Sequence, residues 1–105
     1  MAAPYNPPVK NEDFKVPITL ADMAVPGSLK SSPTIAAGDF KVSKDGAAFN
    51  NLTTLPVVLP AGSVGVMLEL SASEMNADVL LIVGIDQSTP KEWCDFSLGI
   101  PTTSA

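Results

Sequence analysis

No arginine, no histidine and only one cysteine occur among the 105 residues of this chain. Arginine is the preferred residue for bidentate grips on phosphate and guanine. Its absence, at a formal charge of −5, removes the basic footprint that nucleic-acid binding needs. Eleven acidic residues against six lysines also disfavour docking on anionic lipid and favour solubility. Without histidine, the common general base near neutral pH is missing, and no histidine or cysteine cluster offers a zinc site. Cys94 can form no disulfide within the chain and has no histidine to activate it, which fits a reducing compartment. The seven glycines are scattered at turns and strand ends, so no phosphate-cradling loop is formed. The opening Met1-Ala2-Ala3-Pro4-Tyr5 lacks the basic and apolar regions of a signal peptide. The longest apolar run, Val79 to Ile85, falls far short of the roughly 20 residues of a membrane helix. These absences point away from an enzyme, a cofactor or a metal, and toward a product made in the cytosol.

What is present suits one β-rich domain. An apolar fraction of 46% is ordinary for a globular core. The ten prolines are about twice the usual share and cut the chain into short pieces, which disfavours a helical bundle. Residues 1–13, MAAPYNPPVKNED, suit polyproline-like extension with Tyr5 and Val9 as anchors. This segment is either a loose terminus or an arm lying on a neighbouring subunit. Phe14 to Leu20 reads as a strand whose Pro17 marks an edge. Residues 21–38 form a long connection with a turn at Pro26-Gly27.

Asp45-Gly46 predicts a two-residue hairpin turn, with Val42 opposite Phe49 and both sharing a buried face with Phe40. Pro56 to Leu59 reads as a short edge segment, and Val64 to Leu70 alternates as a half-buried strand. Ser71-Ala72-Ser73-Glu74 matches a capping box and predicts a short helix of one or two turns. Val79 to Ile85 reads as a strand buried on both faces. In the last strand, Lys91 to Ile100, alternation turns Cys94, Phe96, Leu98 and Ile100 inward and leaves Trp93, Asp95, Ser97 and Gly99 outward. Tryptophan on a wet face either covers lysine stems or anchors an interface. The expected architecture is a mainly β, two-sheet, immunoglobulin-like β-sandwich with one short helix and an extended N-terminal arm. Its expected parts are the arm (1–13), the sandwich (14–100) and a short tail (101–105). Candidate interface residues are Tyr5, Pro7, Pro8, Val9 and Trp93. Glu12 and Asp13 lack partner ligands for calcium and read as solvated surface.

Two stretches carry a resemblance. One is the opening YNPPVK; the other is AAGDFKVSKDGAAFNNLTTLP followed, after a strand, by LSASEMNADV. Together they resemble small structural proteins and modules encoded among the virion genes of tailed bacteriophages, over roughly residues 5–98. The matching residues are structural: Asp45-Gly46 at the turn, Ser71 and Glu74 at the cap, and Met75 in packing. The resemblance implies a capsid decoration, or cement, protein that clamps the major capsid protein from outside as a homo-oligomer, often a trimer at local threefold positions. It implies a location in the virion after synthesis in the host cytoplasm. A neck, tail or baseplate module would use the same fold. A domain for host-surface carbohydrate is a third class, for which one tryptophan and one tyrosine make a thin aromatic platform.

Overall fold

The structure is a computed structural model and describes residues 7–103. Seven strands follow one another: β1 (Phe14–Thr19), β2 (Phe40–Lys44), β3 (Asn50–Asn51), β4 (Val57–Val58), β5 (Gly65–Leu70), β6 (Val79–Gly84) and β7 (Phe96–Pro101). They form two antiparallel sheets, ordered β1-β5-β4 and β3-β2-β6-β7. Among the described residues there is no helix. Inward side chains from both sheets feed a single apolar cluster. Val66, Leu68 and Leu70 come from β5, Phe40 and Val42 from β2, Leu80 and Ile82 from β6, and Ile100 from β7. Period-two alternation sets this arrangement, because the longer strands β1, β2, β5, β6 and β7 turn every second side chain toward the cluster.

Several expectations hold. Pro17 lies exposed on β1, an edge strand with β5 as its hydrogen-bonded neighbour. The alternation of β5 is half-buried, and the segment after Pro56 is a two-residue edge strand. Residues 21–30 of the long connection fold back on themselves, with Lys30 N–H donating to the C=O of Leu20 just before the connection and Ser28 N–H to Val25 C=O at the Pro26-Gly27 turn.

The expected short helix is absent, although its capping box forms. Ser71 N–H donates to Glu74 Oε1 (2.8 Å) and Glu74 N–H to Ser71 Oγ (3.2 Å). Met75 N–H reaches Ser71 C=O, which closes one turn. The chain is then captured: Asp45 Oδ1 accepts the N–H groups of Asp78 (3.1 Å) and Val79 (3.0 Å) and pulls the backbone into β6.

The hairpin forms with a shifted register. Asp45 and Gly46 both take positive φ, and Ala47 N–H donates to Lys44 C=O as the turn requires. Farther out, however, Val42 pairs with Asn50 and not with Phe49. An extra residue lies between turn and ladder, where Ser43 Oγ donates to Ala47 C=O (2.6 Å), so Phe49 rotates out of the core and is exposed.

Trp93 corrects the expected outward placement. It is 0% exposed, its ring stacks on Phe40 with centroids 5.4 Å apart, and its Nε1–H donates to Thr34 C=O (3.1 Å). The last strand begins only at Phe96, so the alternation of β7 does not extend back to Trp93. Residues 92–94 pair instead with residues 21–23, through an Asp22–Trp93 bridge and a bond from Cys94 N–H to Ala21 C=O. A fully buried side chain cannot anchor a contact with another molecule. Trp93→Ala should therefore cost stability, about 3–5 kcal/mol as for other buried aromatics. Thermal or urea unfolding checks this; an unchanged transition midpoint would contradict the packing.

Candidate interaction surface

The residues expected at an interface are not brought together. Tyr5 lies outside the described residues. Pro7, Pro8 and Val9 are half-buried, and Val9 bridges Thr103 in parallel. Lys10 N–H donates to Thr103 C=O (2.9 Å), Thr103 N–H to Pro8 C=O (2.8 Å) and Asn11 N–H to Met75 C=O (3.1 Å). The end of the expected arm thus lies on the tail of its own chain, and the boundaries expected at 13 and 100 are crossed by pairing.

A different surface stands out, on the outward face of the four-stranded sheet. β6 was expected to be buried on both faces, but only Leu80, Ile82 and Gly84 are covered. The alternate residues face out: Val79 is 52% exposed, Leu81 and Ile85 are 40% exposed, and Val83 is half-buried. Their cross-strand neighbours do little to cover them. On β7, Ser97, Gly99 and Pro101 lie opposite Val83, Leu81 and Val79; on β2, Lys41 lies opposite Val83 and Ser43 opposite Leu81. Small and short side chains beside a row of branched apolar ones leave that row open to water. Phe49, turned out by the extra residue in the hairpin, extends the row at one end. With Val83, Ile85, Lys41, Asp39 and Gln87 it lines a shallow depression of about 270 Å³. Large contiguous apolar patches on monomeric proteins commonly mark interaction sites.

Two buried carboxylates hold the loop beside this depression. Asp39 accepts the N–H groups of Ala36 (2.9 Å) and Gln87 (3.2 Å), while its own C=O accepts Ile85 N–H (2.8 Å). Asp86 accepts Ser88 N–H (2.8 Å) at one oxygen and Glu92 N–H (2.7 Å) at the other. Burial acts to raise the Asp86 pKa. Hydrogen bonds from the Glu92 and Ser88 backbones, the Ser88 side chain and the Trp93 backbone outweigh it and hold the carboxyl below its ordinary value. Both charges are taken up by backbone N–H groups, a structural use. Among the described residues, no group of three His, Cys, Asp or Glu side chains is placed to hold a metal ion. No helix there is long and apolar enough to cross a membrane.

The chain's sequence pattern contained a partial signal for this surface. A run as apolar as VLLIVGI has more hydrophobic side chains than one covered face uses, and here the surplus faces water. Phe49 could not be assigned from the Asp-Gly turn, because a one-residue shift reverses the face of every following side chain. No protein-family model, curated protein or solved structure matches the chain.

The lowered Asp86 pKa fixes the sign of a pH effect. Its contribution to stability is complete above the ordinary carboxylate range and fades as pH falls through 3.8 toward the lower folded-state value. Asp86→Asn keeps one acceptor and loses the other, so it should cost about 1–3 kcal/mol at neutral pH. It should also flatten the acid limb of stability against pH. Urea titrations at several pH values check both, and a parallel, equally steep acid limb in the variant would contradict the assignment.

Proposed function

We propose that this domain is a non-catalytic structural component of a tailed-phage particle, a decoration or cement protein that docks on the outer capsid shell. The two sheets, which share one apolar cluster, are taken to pack as a β-sandwich of immunoglobulin-like outline. The supporting observation is the outward apolar row of exposed Val79, Leu81 and Ile85 and half-buried Val83, on a sheet whose other face packs into the core. An enzyme site needs convergent reactive groups, whereas this face offers branched apolar side chains, Phe49 and one flanking lysine. That composition suits contact with another protein. The acidic, arginine-free chain is a poor match for packaged DNA and is compatible with the outside of a shell. Burying the row against the major capsid protein would add contact area between shell subunits and raise the resistance of the particle to rupture.

The proposed docking surface is therefore the face of β6 and not the N-terminal arm or Trp93. Purified protein incubated with empty shells of the phage that encodes it should decorate them, visible by electron microscopy and by co-sedimentation. Leu81→Glu should lower that binding by at least about tenfold, since a charge would be buried in the contact. Its unfolding midpoint should stay close to that of the parent, because Leu81 faces solvent in the free domain. Undiminished decoration by Leu81→Glu would remove the sheet face from the account.

A further inference from the structure

Among the described residues no strand pairs with the outer edge of β7, and we infer that this edge joins a second copy of this chain through antiparallel β7–β7 pairing about a twofold axis. The inference stands apart from shell docking, since it concerns the edge of the sheet and not its face.

The hydrogen-bond parity of β7 is fixed at its end. Thr102 N–H donates to Asp78 C=O, toward β6, whereas Thr103 donates its N–H and offers its C=O to residues 8–10 on the opposite side. Continuing that alternation down the strand, Phe96, Leu98 and Ile100 bond to β6, and Ser97 and Gly99 point their N–H and C=O groups away from it. Among the described residues nothing pairs with Ser97 or Gly99, because β7 is the last strand of its sheet. The short parallel bridge at Thr103 shows that this side of the chain accepts a neighbouring segment just beyond the strand.

Natural sheets protect such edges with charge, proline, bulges or brevity. Three of the four edges here are protected: β1 carries Pro17 and the Lys15–Glu69 ion pair, and β3 and β4 are two residues long. β7 is six residues long, and its sequence FSLGIP has no charge and no proline before Pro101. The nearest charge, Asp95, is already matched by Lys91 at 2.7 Å. A Cβ placed on Gly99 would meet nothing within 4 Å, so a side chain at this position fits the strand without a clash.

The edge is complementary to itself. With a twofold axis at Leu98, Ser97 of each copy lies opposite Gly99 of the other, and each pair exchanges both backbone bonds. Pro101, which lacks an N–H and lies opposite Asp95 of the other copy, limits the ladder at both ends. Opposed residues in an antiparallel pair share a face, so the outward rows of both copies would point the same way on one continuous sheet. The axis would stand normal to that face. Edge pairing of this kind is isologous and closes as a dimer, in place of the threefold arrangement that the phage resemblance implies.

The test is sedimentation equilibrium of the full chain over a wide concentration range, with hydrogen exchange at Ser97 and Gly99. The expected result is a dimer whose formation protects both amides. Gly99→Pro, which removes an outward N–H and leaves the bonds to β6 intact, should abolish the dimer; Gly99→Ala, which keeps the N–H, should preserve it. A monomer even at millimolar concentration would overturn the inference. So would a dimer in which both amides exchange freely, which would indicate association through the sheet face. Protection of both amides in a monomer would overturn it too, by showing the edge covered within one chain. Shell binding is read separately, so either result stands if the other fails.

Discussion

The stacking of Trp93 on Phe40 is the contact on which the rest of the domain depends. Phe40 begins β2 and lies across from Gly84 of β6, and its ring occupies the space where any other residue would carry a side chain. A Cβ on Gly84 would stand 2.7 Å from Phe40 Cε2, so the glycine and the ring require each other. Trp93 then covers the other side of the ring, with Phe96 tilted against it at 6.2 Å. The indole N–H is satisfied by Thr34 C=O, which brings the long connection between β1 and β2 onto the core. Three distant parts of the chain are thereby fixed around one aromatic stack.

This stack fills one side of the four-stranded sheet, and among the described residues much of the β6 row on the opposite side stays open to water. The same strand that gives Leu80, Ile82 and Gly84 to the core must present Val79, Leu81, Val83 and Ile85 to the opposite face. Loops at the end of that sheet are held by Asp39 and Asp86, whose carboxylates each take two backbone N–H groups, so the surface is built on a fixed frame. A preorganised apolar face loses little conformational entropy on docking. That combination of a held frame and an exposed apolar row is what supports the proposed docking role.

Much of the strand pattern was legible in the chain. β1, β5 and β6 follow from alternation or apolar runs, the capping box from Ser71 and Glu74, and the hairpin turn from Asp45-Gly46. Less legible was everything set by partners remote in sequence. The helix after Ser71 is cut short by Asp45, a residue in another hairpin that no local propensity reveals. Phe49 is displaced by an extra residue whose position depends on the bond from Ser43 Oγ to Ala47 C=O. Trp93 is governed by its bridge to Asp22, so alternation carried back from β7 assigns it the wrong face. The expected outward placement of Trp93 fails for that reason, while Pro8 and Val9 take up Thr103 of their own chain.

Trp93 is the one tryptophan in the chain, and its burial can be read without ambiguity from intrinsic fluorescence. With the indole enclosed by Phe40 and the Thr34 backbone, native emission should be blue-shifted and resist quenching by acrylamide, with both properties lost together on unfolding. Emission and quenching like those of free tryptophan in the native protein would contradict the stack. The uncovered sheet face would then lose its physical basis.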